Sequence, residues 1–275
     1  MTRLIHSYWL GAGLLCIASI SPAASPTTLP AIAAIPRQDR NSQIAHEQLL
    51  AKARQGGIDV YFEGDSITRR WGASDQQYAD FLANWKENFY GWNAANFGWG
   101  GDTIQNILWR LQNGELDGVN PKLIVLLAGT NNIGNRIPQD GDERNVQELA
   151  AGIKATLEVM RTKAPDAVII LIGIIPRNDG PAGKTSVKTI DKINAQIAQL
   201  ADGKKVRYLN INDKLANKDG TLYEGMTVDG LHLSVKGYQV WADALKPILT
   251  KILGPPAKTD HAPPPTGDPS AQPRR

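Results

Sequence analysis

Short apolar runs alternate along this chain with longer stretches in which apolar residues return every three or four positions. Residues 58–62, 94–97, 122–128, 167–175 and 205–209 read as strands, and the third and fourth are apolar nearly throughout, as strands covered on both faces must be. The intervening pattern predicts helices over 75–88, 103–112, 146–163, 187–201 and 235–253. In the third of these, Leu149, Ile153, Thr156, Leu157 and Met160 keep the spacing of one buried stripe. Strand and helix in alternation predict an α/β fold, a three-layer α/β/α sandwich around a mostly parallel sheet. In such a sheet ligands gather beyond the carboxyl ends of the strands. Three polar clusters occupy those ends and are expected to meet in space: Gly64-Asp65-Ser66, Gly98-Trp99-Gly100-Gly101-Asp102 and Gly129-Thr130-Asn131-Asn132.

The two ends of the chain break the pattern. Arg3, the apolar run 9–20 and the small-x-small triplet Ser21-Pro22-Ala23 read as a signal peptide over 1–23, too short to stay as a membrane span. The expected product is secreted or periplasmic, without integral membrane association once the signal is removed. Residues 24–40, rich in Ala, Pro and Thr, read as a flexible linker, 41–254 as the folded domain, and 255–275, with Pro255, Pro256, Pro263, Pro264 and Pro265, as a disordered tail. The single cysteine, Cys16, falls inside the signal, which removes disulfides and a cysteine nucleophile from the mature protein.

At 275 residues, 42% hydrophobic and 21% charged, the composition is that of an ordinary globular protein. The net charge of +3 is scattered rather than gathered in a block, which argues against a nucleic-acid partner. Taken singly, the polar clusters have plain readings. Gly64-Asp65-Ser66 suits a turn and helix cap, and Gly129-Thr130-Asn131 suits the start of a helix. Gly98-x-Gly100 lacks the third glycine of a dinucleotide fingerprint, since position 103 is Thr. Gly183-Lys184-Thr185 lacks the first glycine of a phosphate loop, since position 178 is Asn. His232 alone suits a structural histidine, and no His-rich run has metal-ligand spacing.

Taken together and in order, Gly64-Asp65-Ser66-Ile67, Asn96 to Gly101, Gly129-Thr130-Asn131-Asn132 and Asp229-x-x-His232 resemble the four signature blocks of the GDSL esterases, or SGNH hydrolases. The strings Asn96-Phe97-Gly98-Trp99-Gly100-Gly101-Asp102-Thr103, Leu108-Trp109-Arg110-Leu111 and Asn113-Gly114-Glu115-Leu116 are most similar to the catalytic subunits of the platelet-activating-factor acetylhydrolase group. The resemblance runs from residue 58 to 253. It implies a flavodoxin-like, five-stranded sheet, Ser66 as nucleophile, His232 as general base and Asp229 as its partner. It also implies an oxyanion hole made of the Ser66 and Gly101 N–H groups and the Asn131 amide. The chemistry agrees. A serine hydroxyl is a weak nucleophile until a neutral imidazole takes its proton, and a carboxylate three residues away in a tight turn can fix that imidazole's tautomer. Asp65 is read as bracing its turn.

The expected reaction is two-step hydrolysis of an ester through an acyl-serine, with no cofactor and no metal required. Short acyl groups, acetyl above all, are the first expectation, on a small-molecule or carbohydrate ester. The alternatives are a lysophospholipase or thioesterase, and a non-catalytic carbohydrate- or lipid-binding protein on the same scaffold. Trp99, beside the oxyanion glycine, and Asn132 are the expected substrate contacts. Trp71, Trp85, Trp92 and Trp109 read mainly as packing. Relative to the acetylhydrolase pattern the chain is longer between Ser66 and Asn96 and again over 133–145, where specificity is usually written. The resemblance also implies a homodimer, through a surface the sequence does not specify.

Overall fold

The computed structural model describes residues 32–133, 143–179 and 183–271. The signal peptide 1–23, the first part of the linker and most of the loop 133–145 therefore lie outside the described residues. Five parallel strands form one sheet: β1 (Val60–Gly64), β2 (Ala94–Asn96), β3 (Leu123–Leu127), β4 (Val168–Ile172) and β5 (Val206–Leu209), in the order β2-β1-β3-β4-β5. All five overlap the runs read from the sequence, with β1 lying two residues further on than the run 58–62. In register, Tyr61 lies beside Ile124 and Ile124 beside Ile169, with Phe62, Val125 and Ile170 forming the next row.

Because strand side chains alternate between faces, these rows feed two cores. Tyr61, Ile124, Leu126, Ile169 and Leu171 pack under α4 (Ile104–Arg110), α6 (Glu143–Lys163), α7 (Gly183–Ala198) and part of α1 (Arg40–Gln55). Phe62, Val125, Leu127, Ile170 and Ile172 pack on the other side under α2 (Ser66–Gly72), α3 (Ala79–Phe89) and α9 (Val235–Leu253). Two short helices, α5 (Thr130–Ile133) and α8 (Asn212–Leu215), stand at carboxyl ends of the strands. On the second face Trp71 stacks on Tyr238 at 4.9 Å and meets Trp85 edge-on at 5.5 Å, so these two tryptophans are core, as expected. Each such side chain contributes roughly 2–3 kcal/mol by burial. Among the described residues no helix is long and apolar enough to cross a membrane.

Two readings of the chain ends are corrected. The tail from Pro255 through Ala271 is not excluded from the fold, because its non-proline residues hydrogen-bond to the domain. Asp260 accepts from the N–H groups of Gly91 (2.7 Å) and Asn93 (3.3 Å), the Asp268 N–H donates to Asp75 (2.7 Å), and Thr266 accepts from Ser74 N–H and from Lys52. On the linker side, the segment from Ile32 onward is tied to α4: the Ile35 N–H donates to Gln105 O at 3.0 Å and Asn106 donates back to Ile35 O at 2.9 Å. The helix α1 begins at Arg40, capped by Asp39, inside the span read as linker.

Candidate active site

The strand β1 ends in the turn that opens α2, and Ser66 is the first residue of that helix. Asp65 braces the turn as expected, its carboxylate accepting from the Ile67 N–H at 2.9 Å. It is fully buried, and burial pushes its pKa up to about 7 against the opposing pull of that N–H. As the first residue of a helix, Ser66 has an N–H with no partner inside the helix, and that N–H forms part of the positive end of the α2 dipole.

Far along the chain, the segment before α9 forms a tight loop. An antiparallel bridge between Thr227 and Leu233 closes its base, and Ser234 caps α9. Gly230 sits at φ 81°, and a Cβ there would meet the backbone of Asn178 at 2.9 Å, so only glycine lets the loop lie against 176–179. Within this loop Asp229 holds His232 twice, accepting from its backbone N–H at 2.8 Å and lying 2.7 Å from the ring Nδ1. The other ring nitrogen, Nε2, is 2.9 Å from Ser66 Oγ. Tyr238 on α9 donates to Ile67 O at 2.7 Å, which ties the helix behind the histidine to the helix that carries the serine.

Burial pushes the His232 pKa below its ordinary 6.5, and the Arg70 cation adds to that, against the pull of Asp229. Burial acts to raise Asp229, but the His232 N–H, the imidazole and the Leu231 N–H outweigh it and hold the carboxyl below its ordinary range. The pair at neutral pH is a carboxylate and a neutral imidazole, the state in which Nε2 can take a proton.

The second and third clusters close on the same place. A Cβ on Gly100 would come to 4.0 Å from Ser66 Cβ, so the Gly98–Asp102 loop passes beside the serine. Asn131, on α5, donates through its amide to Asp102 O at 2.8 Å, and its second amide hydrogen has no partner among the described residues. Of the residues singled out from sequence, Ser66, Asp229 and His232 are joined directly, Gly101 follows the glycine that borders the serine, and Asn131 is joined to the Gly101-bearing loop.

Asn132 and Trp99 are corrections. The Asn132 carbonyl accepts from the Ile104 N–H at 2.9 Å and its amide donates to Gln105 at 2.8 Å, so its side chain pins the start of α4 instead of facing substrate. The Trp99 ring is 8% exposed, lies under the Arg69 guanidinium at 4.8 Å and donates its N–H to Ser42 at 2.7 Å. It is a packing residue between the oxyanion loop and α1.

Sequence reasoning gave no weight to the charges behind the site. Arg110 is buried against Glu63 (2.6 Å), Asp102 (2.7 Å) and Glu115, and also donates to Phe97 O at 3.0 Å. Burial pushes Glu63 up to about 8 and Asp102 up to about 6, with Arg110 opposing in both cases. The signal was present: Glu63 is a charge closing an otherwise apolar strand, on the face shared with Tyr61, and Arg110 falls on the buried face of α4. Its effect is to clamp both ends of the Phe97–Asp102 loop from behind.

The chain matches the model of the GDSL-like Lipase/Acylhydrolase family over residues 62–240. It is 31% identical over 232 residues to the platelet-activating factor acetylhydrolase IB subunit alpha2 of Rattus norvegicus, covering 84% of this chain and 93% of that one. To the alpha1 subunit of Bos taurus it is 30% identical, covering 85% and 91%. In structure it superposes on a GDSL-like lipase from Bacteroides thetaiotaomicron with a TM-score of 0.60 at 20% identity, covering 76% of this chain and 98% of the other, which speaks to the shared fold.

Proposed function

From the premise that this chain belongs to the GDSL-like lipase/acylhydrolase family and is a carboxylic ester hydrolase, we propose that it is a secreted acetylesterase acting through Ser66, His232 and Asp229. The observation that carries this reading is the unbroken relay from Asp229 Oδ2 through the imidazole to Ser66 Oγ, at 2.7 and 2.9 Å.

In this mechanism His232 Nε2 takes the Ser66 proton as Oγ attacks the ester carbonyl, and Asp229 holds the ring in the tautomer that leaves Nε2 free. The imidazolium that forms is stabilised by the same carboxylate. Charge moves to the former carbonyl oxygen, which the N–H groups of Ser66 and Gly101 and the free amide hydrogen of Asn131 receive. Collapse expels the alcohol with the proton from His232. A water, deprotonated by His232, then attacks the acyl-serine and releases the acid and the free serine.

The short-acyl preference is supported by the acetylhydrolase relatives. Acetylated carbohydrate is the substrate class we favour for an exported enzyme. A homodimer is carried over from the acetylhydrolase resemblance. The test is a chain-length series of p-nitrophenyl esters beside acetylated xylan and a lysophospholipid. Acetate turned over faster than octanoate, with release of acetate from the xylan, supports the reading. Octanoate preferred, or the lysophospholipid alone cleaved, gives the lysophospholipase alternative.

A further inference from the structure

We propose that Arg37, on the segment preceding α1, is a positioning residue that aims and polarises the Gly101 N–H of the oxyanion hole. The inference rests on the hydrolase reading above and deepens it. Arg37 Nη1 donates to Gly100 O at 3.0 Å and lies 3.4 Å from Asp102 Oδ1. A Cβ on Gly101 would come to 3.1 Å from the same nitrogen, so the guanidinium lies directly on the Gly100–Gly101 peptide. A trans peptide is planar, with its C=O and N–H pointing to opposite sides. Holding the Gly100 carbonyl on the Arg37 side therefore turns the Gly101 N–H the other way. No described group accepts a backbone hydrogen bond from it there.

Glycine at φ 77° has no side chain to fix that orientation, so something else must. The cation does more than fix it. A charged donor on the carbonyl polarises the amide and makes its N–H a stronger donor to a developing oxyanion.

Arg37 is itself held on a closed circuit. Its Nε and Nη2 both reach Asp39 at 3.0 Å, Asp39 accepts from Ser42 Oγ at 2.9 Å, and Ser42 Oγ accepts from the Trp99 indole at 2.7 Å. Trp99 is in the same loop as Gly100. The circuit thus grips the loop at two points, which gives the buried indole a purpose that substrate contact does not. Arg37 also pairs with Asp102 at 3.4 Å, but the shorter bond to that carboxylate, 2.7 Å, comes from Arg110, and the shorter bond of Arg37 Nη1 goes to the Gly100 carbonyl.

The test compares Arg37→Ala, Arg37→Gln and Arg37→Lys in the whole mature protein. Arg37→Ala is expected to lower kcat about 10- to 100-fold with KM changed less than about threefold, since the affected hydrogen bond strengthens only in the transition state. Millimolar methylguanidine should restore part of that kcat. Arg37→Gln, which can still donate to Gly100 O but carries no charge, should fall between Ala and wild type. Unchanged kcat in Arg37→Ala, or a loss that methylguanidine does not touch, overturns the proposal. Should Arg37→Ala not fold, the order of kcat among wild type, Lys and Gln decides, and equal values overturn it. Ser66→Ala separates the two levels: if it retains activity the hydrolase reading itself fails. If it is inert while Arg37→Ala is as fast as wild type, only the role of Arg37 falls.

Discussion

In the proposed mechanism, replacing Asn131 by alanine removes one of the three donors assigned to the oxyanion. The amide makes two separable contributions. One hydrogen goes to Asp102 O at 2.8 Å in the resting protein, a neutral bond with a net value of about 1 kcal/mol. Its loss lowers the melting temperature by about 2–4 °C in a domain of this size. The other hydrogen has no described partner and acts only when negative charge develops. Loss of one preorganised donor of this kind costs about 3–4 kcal/mol in the transition state, or roughly 100- to 1,000-fold in kcat. Initial rates on p-nitrophenyl acetate across a range of concentrations separate kcat from KM, and a thermal melt reports the structural part. The expected result is a large fall in kcat, KM within about threefold, and a small shift in melting temperature. A change confined to KM, or a kcat loss that merely tracks a large melting shift, refutes the role given to Asn131.

Activity should fall as pH drops through the titration of His232, because the protonated imidazole cannot accept the serine proton. Since burial and Arg70 hold that group low, the acid limb should have its midpoint below 6.5. Removing the cation in Arg70→Ala should move the limb upward in pH–rate profiles; a downward move contradicts the assignment. Arg110→Met should remove the cation that Glu63, Asp102 and Glu115 share and destabilise the fold by about 3–5 kcal/mol in urea unfolding. Glu63 and Asp102 are raised in the folded state to about 8 and about 6 from 4.5 and 3.8, so they hold protons that the unfolded chain gives up. Their contribution to stability is therefore greatest below about pH 4 and is lost as pH rises toward 8. The Arg110→Met penalty should widen across that window, and a penalty independent of pH contradicts the buried cluster.

The sheet was legible because its strands are buried on both faces: 122–128 and 167–175 have almost no polar residue to confuse the period. The helix α1 was not, because its inward stripe carries Ser42 and Lys52 among Ala45, Leu49 and Ala53, and the partners of Lys52 lie far along the chain. Lys52 is fully buried, donating to Asn96 O at 2.9 Å, and burial lowers its pKa to about 7. The helix α2 is seven residues long and begins at the nucleophile, too short for periodicity to mark. The proline-rich tail shows the limit of composition. Among its described residues there is no helix beyond the turn Pro269–Ala271, yet Asp260 and Asp268 bond it to the domain.

At the site, Ser66, Asp229 and His232 could be named in advance because they stand in the motif blocks that resemble those of the GDSL esterases. The substrate contacts could not. Asn132 and Trp99 stand next to site residues in sequence, but adjacency along a turn sends neighbouring side chains in different directions, and theirs go to α4 and α1. Arg37 lay outside reach for the opposite reason: nothing about an arginine in a Pro- and Ala-rich segment marks it as the partner of a carbonyl 63 residues on.

The most direct measurement of the central claim is reaction of the purified mature protein with a fluorophosphonate, followed by peptide mass spectrometry. A single phosphonyl group should appear on Ser66 in step with loss of esterase activity, and His232→Ala should remain unlabelled under the same conditions. Complete inactivation with the label on another residue, or full esterase activity with Ser66 phosphonylated, would contradict the account.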